Sequence, residues 1–573
     1  MHVIPANNVP TRRLTGLGLL WFDVGVGDVQ MREARQLVGG YCSKECQVSH
    51  WPVHKKDCKS ELLKSSWRPS WERERRSPAF LGNNLPPFMP FGRSKFLWGN
   101  VPALDIINLP ANEGVAYDKP MNLLFAASGD LRNVLRTITS LPEGFSSGLT
   151  IDINDRDMDI VARNIIFLLM LCTIDDGEEA AACVLHLWYS TLIPPFCLER
   201  LGRLEDLIGD VCSKIKNKPA HALLGKTWTF AQARGSLRVL LSKGMWDSLL
   251  SYLRVPDGLT ADRAEQVRST IMNAPQRIDH VHRKLFTQIK PSWRMCTHKF
   301  RQDGILLPFG QPRNQYTIPN PTFFQTADEW PMKDSADPLE GWPLGEVFSV
   351  RTRARDDVNG KLYHYVRSRL VAFHSRLRTL DMKFRLHLGD VRLVVPQFMD
   401  ASTRYDRIEV SNICDGGYLG IRETLALFGP RLCSREVNPH ATLVTLFLNA
   451  VEESCTPMDQ RQELIGEMKK LLLYLPQTAP PEENDAEVLR AGAAANMVRD
   501  VDRYFNRYMK LEDFRGAAVA AGVRMKLKNT VVAEWPMRLK LQSHQKGAKE
   551  EFEQTLGSGH SGVERYVEWQ KSS

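Results

Sequence analysis

Residues 121–169, MNLLFAASGDLRNVLRTITSLPEGFSSGLTIDINDRDMDIVARNIIFLL, contain the pattern that decides the fold. The apolar runs Met121–Ala126 and Leu149–Ile153 each predict a buried parallel strand. Apolar residues at i, i+3, i+4 and i+7 from Leu131 predict an amphipathic helix between the two strands. Asp157 is a candidate N-cap for a helix after the second strand. This β-α-β-α unit predicts an α/β fold with a doubly wound, Rossmann-like parallel sheet.

A second block further along the chain is expected to complete the sheet. Tyr405–Ile413 has the pattern of a strand followed by a polar turn, Leu419–Leu427 that of a helix, and Leu443–Leu448 that of another strand. If these elements join the first unit, a large and mostly helical insertion at about 175–400 separates the two halves of the sheet.

Polar residues follow the first two predicted strands, and they are the candidate cofactor-binding residues. Gly129 allows close backbone approach after the first strand, and Asp130 follows it at the start of the helix. Asp155 lies 26 residues beyond Gly129, where an acid can bond a ribose hydroxyl. This unit resembles the first half of a class I S-adenosylmethionine methyltransferase, which implies that cofactor. The alternative is a turn glycine with helix-capping acids.

A cluster of cysteines and histidines near the start has the spacing C-x3-C-x7-H-x3-C, formed by Cys42, Cys46, His54 and Cys58. Thiolate and imidazole are the ligands that Zn²⁺ favours, in tetrahedral sets of four. The stretch YCSKECQVSHWPVHKKDC resembles the second half of a MYND-type zinc finger, a family that binds two Zn²⁺. The resemblance implies that Cys42 and Cys46 serve one ion and that His54 and Cys58 serve the other.

The upstream cysteine pairs of such a finger are absent from this sequence, because no cysteine precedes Cys42. Each ion would therefore have two of its four ligands. Three explanations stay open: a degenerate finger, a stretch 1–40 that is not the native N-terminus, or one ion that gathers all four ligands.

A wider resemblance runs from about Cys42 to Trp569. Its segments are NLLFAASGDLRNVLRTI, IDINDRDMDIVARNI, LLGKTWTF, PNPTFFQTADEWPMKD, YDRIEVSNICDGGYLG and GHSGVERYVEW. They resemble fungal MYND-finger proteins that carry a large domain of uncharacterised function. A related domain occurs in an axonemal dynein assembly factor.

These patterns divide the chain into six predicted segments. They are an unpatterned N-terminus at 1–40, the C-terminal half of a MYND-type finger at 41–58, a linker at 59–95, the large α/β domain at 96–475, a linker or loop at 476–487, and a helical C-terminal segment with a loose tail at 488–573.

Composition excludes several classes of protein. With 43% hydrophobic and 25% charged residues among 573, the chain is neither wholly disordered nor collagen-like. Eleven cysteines are too dilute for a disulfide scaffold. The net charge of +9 is diffuse and does not point to nucleic acid. The longest apolar run, Ile165–Cys172, is far short of the roughly 20 residues that span a bilayer, and no secretory signal is visible. We therefore expect an intracellular protein, in cytoplasm or nucleus, without a membrane partner.

Together these features favour a zinc-binding MYND-type protein that acts as an interaction or scaffold factor, its large domain binding rather than catalysing. The family resemblance implies a protein partner, including Pro-containing peptides. The alternative is an S-adenosylmethionine-dependent methyltransferase. The space near Gly129 and Asp155 discriminates between them, since an open cavity favours the enzyme and a side-chain-filled one favours the scaffold.

Overall fold

The structure is a computed structural model. It describes residues 52, 55–57, 59–81, 91–232, 234–456, 458–459, 467–475 and 484–572. The predicted zinc ligands Cys42, Cys46, His54 and Cys58 lie outside the described residues.

The strands are named in chain order. They are β1 (Met121–Phe125), β2 (Leu149–Asp155), β3 (Leu192–Ile193), β4 (Leu223–Phe230), β5 (Gly235–Ser242), β6 (Ile318–Pro319), β7 (Met382–Leu388), β8 (Arg407–Glu409), β9 (Thr442–Phe447), β10 (Val523–Met525) and β11 (Arg565–Lys571).

The α-helices are named in the same way. They are α1 (Ser70–Arg73), α2 (Arg132–Ser140), α3 (Met158–Thr173), α4 (Gly177–Tyr189), α5 (Pro195–Ile215), α6 (Lys243–Ser251), α7 (Ala261–Met272), α8 (Ile278–Thr287), α9 (Pro291–Asp303), α10 (Leu344–Ser349), α11 (Val358–Thr379), α12 (Val391–Gln397), α13 (Gly420–Phe428), α14 (Ala450–Ser454), α15 (Ala486–Val498), α16 (Asp502–Leu511), α17 (Phe514–Ala520) and α18 (Ala548–Ser558).

A nine-stranded sheet organises the molecule, in the order β10-β11-β9-β8-β1-β2-β7-β5-β4. The six neighbouring strands from β9 to β5 pair in parallel. Strand β4 pairs antiparallel with β5, and β11 lies antiparallel to both of its neighbours, β9 and β10. β3 and β6 form a separate two-stranded sheet.

Helices cover both faces of the large sheet, because the strands of its centre are apolar on both sides. Leu123 and Phe125 of β1 point into a core that α2, α3, α4 and α11 share. Leu124 points the other way, into a core built with α12, α13, α16 and α17. The mixed α/β class predicted from residues 121–169 is therefore confirmed.

The predicted local elements also lie where expected. The first two strands are β1 and β2, and the helix between them is α2. The Asp157 carboxylate caps α3 by accepting a hydrogen bond from the Asp159 amide at 2.9 Å. The second block contains β8, α13 and β9 in the predicted order.

The insertion predicted at about 175–400 is less purely helical than expected, since it contributes β4, β5 and β7 to the sheet. β7 is an interior strand, yet it carries charged residues among apolar ones. Its Arg385 guanidinium binds the Asp152 carboxylate of β2 at 2.6 Å. This ion pair between neighbouring strands joins residues that are 233 positions apart in the chain, so the local sequence pattern could not predict it.

The linker predicted at 59–95 is wrong for its first part. Trp67 and Trp71 are buried against α8 and α9 together with Leu63. The arginine-rich run that indicated a solvated segment is also anchored, because Arg76 forms an ion pair with the buried Asp279 at 2.6 Å. Residues 59–81 are therefore packed on the large domain.

The loose tail predicted at the C-terminus is also wrong. β11 lies inside the sheet, between β9 and β10. Its Trp569 is 1% exposed, and the indole N–H donates to Thr445 Oγ1 at 3.0 Å. The glycines just before β11 made the segment resemble a tail, whereas the pattern of RYVEWQK at 565–571 fits an edge-proximal strand.

Candidate functional site

A cavity of about 720 Å³ opens at the carboxyl edge of the parallel strands. It lies where the chain turns out of β1, β2, β7, β8 and β9. From β1 the sheet continues through β2 on one side and through β8 on the other. In open α/β sheets this reversal of strand order parts the connecting loops and leaves a crevice in which ligands bind.

The turn after β1 forms one wall of the cavity. Gly129 has a φ of +54°, a left-handed conformation that favours glycine, and a Cβ at this position would meet no atom within 4 Å. Its carbonyl oxygen accepts a hydrogen bond from Asn164 Nδ2 of α3 at 2.8 Å. The turn is thus held by α3, while the direction in which a Cβ would project from Gly129 is open space.

Asp155 stands beside this turn, at the end of β2. Its Oδ2 accepts from the Gly129 amide at 2.9 Å, and its Oδ1 accepts from the Asp157 amide at 2.9 Å. Two of the three predicted cofactor-binding residues therefore touch each other across the cavity wall. Each carboxylate oxygen retains acceptor capacity for a ligand hydroxyl. Burial raises the pKa of Asp155, against the opposing effect of the backbone amides.

The third predicted residue, Asp130, is buried and is not among the residues that line the cavity. Both of its oxygens lie 2.8 Å from Arg132 Nε. Oδ2 also accepts from the Gly99 amide and from Trp188 Nε1, each at 3.1 Å. The structure therefore places Asp130 in a buried network that supports the turn from within.

Glu409 lies on the other side of the cavity, at the end of β8, and is only 3% exposed. Its Oε1 accepts from the Ser411 amide at 2.6 Å. Its Oε2 is buried and accepts no hydrogen bond from the residues that the structure describes. Burial raises the pKa of Glu409 to about 7, although the Ser411 amide and the nearby Asn133 and Arg132 oppose this shift.

Further polar groups line the same space. Asn154 Nδ2 donates to the carbonyl oxygens of Ala126 and Gly389, at 2.9 and 3.1 Å, and its buried Oδ1 has no partner within the described chain. Asn133 and Tyr566 line the side near Glu409. A ligand can therefore meet carboxylates on both sides of the Gly129 turn, with amide and hydroxyl groups between them.

Sequence reasoning missed Glu409, Asn154 and Tyr566. Two of them carried a usable signal, because a charged or amide side chain at the end of an apolar parallel strand is expected at a ligand-binding edge. Tyr566 had no such signal, since it reaches the cavity from β11, the strand that was predicted to be tail.

Two family models match parts of the chain. Residues 39–58 match the MYND finger. Residues 97–193 match a domain of unknown function (DUF4470). No curated protein and no solved structure matches the chain.

The MYND match contains all four predicted zinc ligands and supports a zinc-binding role in protein interaction. The second match contains Gly129 and Asp155 but carries no biochemical description. Within the described ranges, no group of three or more His, Cys, Asp or Glu side chains is placed to hold a metal ion. The same ranges contain no helix with the length and apolar character needed to cross a bilayer.

Proposed function

We propose that the large domain binds S-adenosylmethionine in the cavity between Asp155 and Glu409, and that the chain joins this domain to a MYND-type zinc finger. The observation that carries the proposal is the open cavity at the strand-order reversal, in contact with the Gly129 turn and Asp155. A side-chain-filled space there would have favoured a scaffold without a ligand. When bound, S-adenosylmethionine would supply a transferable methyl group.

Strand order supports the same proposal. Without the β4–β5 hairpin, the order β7-β2-β1-β8-β9-β11-β10 becomes 3-2-1-4-5-7-6 when the strands are numbered along the chain. Its first five positions are those of a doubly wound nucleotide-binding sheet. An antiparallel last strand placed before the sixth is typical of class I methyltransferases, the family that the Gly129 unit resembles.

The polar groups fit the parts of this ligand. Asp155 lines the cavity, and we infer that its oxygens accept from the ribose hydroxyls, as acids at the end of a second strand do in nucleotide-binding folds. Gly129 presents no side chain, so the amino-acid part of the ligand can lie against its backbone. Asp130 contributes by holding the turn through its bonds to Arg132 and Gly99.

Calorimetric titration of the full chain with S-adenosylmethionine tests the proposal. We expect binding that Asp155→Ala weakens by about ten- to a hundredfold, since a hydrogen bond to a charged group contributes roughly 1.5–3 kcal/mol. Because Asp155 also holds the Gly129 amide, the thermal unfolding of the variant is measured in parallel. An absence of binding by the wild-type chain at millimolar ligand would refute the proposal.

The MYND match favours a second role, which is compatible with the first. We propose that the finger recruits a protein partner through a Pro-containing segment, as the family resemblance implies. An array of proline-containing peptides probed with the full chain tests this role. Binding should be lost in Cys42→Ser and retained in Cys455→Ser, which alters a half-buried thiol elsewhere. Equal binding by both variants would argue against a role for the finger.

A further inference from the structure

We propose that Glu409 is the counter-ion for a primary ammonium group of the bound ligand, namely that of the amino-acid moiety of S-adenosylmethionine. This inference rests on the proposed function for the identity of the ligand. The reasons for expecting a cation at this point of the cavity are independent of that identity.

The first reason is that the Glu409 carboxylate is buried without an ion pair. The Ser411 amide, Asn133 and Arg132 stabilise its charged form only in part. No basic side chain in the described structure forms an ion pair with it, and its buried Oε2 accepts no hydrogen bond there. A buried charge without an ion pair carries a large desolvation penalty, which a paired cation reduces. A cationic group on the ligand would complete this site.

The second reason is that three of the four basic side chains that line the cavity in the described structure are already paired. Arg132 is committed to Asp130, at 2.8 Å from Nε to each carboxylate oxygen. Lys95 is committed to Asp159, and it also lies 3.4 Å from Asp157.

Arg392 also lines the cavity and is paired with Asp390 at 2.6 Å. The fourth basic side chain, Arg156, is exposed and follows β2, with β1 between it and β8. None of the four is ion-paired with Glu409 in the described structure, which leaves that place to a cationic group of the ligand.

The third reason is the position of Glu409 along the cavity. It pairs with Phe125 in register, and its carbonyl oxygen accepts from the Ala126 amide at 2.8 Å, where the Gly129 turn begins. Across the sheet the order is therefore Asp155 at the end of β2, Gly129 in the turn after β1, and Glu409 at the end of β8. This is the order of ribose, sulfur-bearing chain and amino acid in S-adenosylmethionine. With the ribose on Asp155, the ammonium end of the ligand lies toward Glu409.

Three adenosyl ligands separate this assignment from its alternatives. S-adenosylmethionine carries a sulfonium and an ammonium group, S-adenosylhomocysteine carries only the ammonium, and 5′-methylthioadenosine carries neither. Calorimetric titration of wild-type chain and Glu409→Gln with each ligand should give a loss of about ten- to a hundredfold for the first two. Affinity for 5′-methylthioadenosine should change less than twofold.

The controls make each outcome decisive. Glu423→Gln makes the same chemical change at an exposed position on α13 and should leave all three affinities unchanged.

A loss of affinity confined to S-adenosylmethionine would assign Glu409 to the sulfonium and overturn the proposal. An equal loss for all three ligands, or no loss for any of them, would also overturn it. If the wild-type chain binds none of them, the proposed function fails and this inference fails with it. Glu409→Gln should unfold at no lower a temperature than wild type, which excludes misfolding as the cause of a loss.

Discussion

Gly129 combines a left-handed backbone conformation with a position in the wall of the cavity. Its φ of +54° disfavours an L-side chain by about 1–2 kcal/mol, and a Cβ there would project into open space. Gly129→Ala should therefore lower the free energy of unfolding by about that amount while the fold survives. Because the added methyl would stand where we propose that the ligand lies, S-adenosylmethionine binding should fall by more than tenfold. Chemical denaturation and calorimetry measure the two effects.

Gly114 offers a matched control for that substitution. It has a φ of +89°, its Cβ would also meet nothing within 4 Å, and it does not line the cavity. Gly114→Ala should cost a similar amount of stability without altering affinity. If both alanine variants bind the ligand as tightly as wild type, the ligand does not lie on the Gly129 turn.

Glu409 predicts a pH dependence of stability. Its pKa is about 7 in the folded chain against an ordinary value of 4.5, so between these values the native state binds more protons than the unfolded state. This group therefore lowers the free energy of unfolding as pH rises from about 4.5 to 7. The other groups facing it are Arg132, Asn133, Cys414 and Tyr566. Burial raises the pKa of the Cys414 thiol and of the Tyr566 hydroxyl, so neither of these two ionises in that range.

Glu409→Gln removes this contribution. The stability of the variant relative to wild type should increase with pH across that window, by up to about 3 kcal/mol. Urea denaturation of both chains at pH 5 and pH 7.5 measures the difference. A difference that is the same at the two pH values would show that Glu409 titrates normally.

At this scale the sequence predicted the Gly129–Asp155 pair, because a glycine and an acid at the ends of consecutive parallel strands must meet at one edge of the sheet. It did not predict that Asp130 would be drawn into a buried network by Arg132 and Trp188. That outcome depends on Trp188 of α4, a helix that begins at Gly177, 47 residues after Asp130 in the chain.

At the scale of elements, β11 is the strand that the sequence pattern wrongly predicted to be a tail. The packing of its side chains predicts how substitutions in it change the free energy of unfolding. Trp569 is buried in the core that α17 shares, with its ring 5.9 Å from that of Phe514. Trp569→Ala should lower the free energy of unfolding by about 3–5 kcal/mol because of the cavity it leaves. Lys571→Ala, in the same strand but half-buried, should cost less than about 1 kcal/mol. Comparable small losses for both variants in urea denaturation would mean that β11 is not part of the folded sheet.

The half-finger is the second element with a testable consequence. Cys42, Cys46, His54 and Cys58 are four candidate ligands, enough for one tetrahedral set and not for two. We therefore predict that this chain binds at most one Zn²⁺, less tightly than a complete finger does. Metal analysis of the purified chain after dialysis measures the stoichiometry. Two tightly held Zn²⁺ per chain would contradict the prediction.

At the scale of the whole molecule, the α/β class followed from one stretch of fifty residues, whereas the limits of the domain did not. The local sequence of 59–81 is rich in charged residues, and glycines precede 565–571. Both segments are nevertheless packed on the same domain. Arg76 binds Asp279, and β11 joins β9, through contacts more than a hundred residues apart in the chain. Only tertiary contact makes such segments part of the domain, which is why composition assigned them to a linker and a tail.

We propose that the cavity at the strand-order reversal is an adenosyl-ligand site, and a crystal structure of the full chain grown with S-adenosylhomocysteine tests this proposal. We expect ligand density in the cavity, with the ribose hydroxyls on Asp155, the chain over Gly129 and the ammonium on Glu409. A cavity without ligand density at saturating S-adenosylhomocysteine, or a ligand bound elsewhere on the molecule, would contradict it.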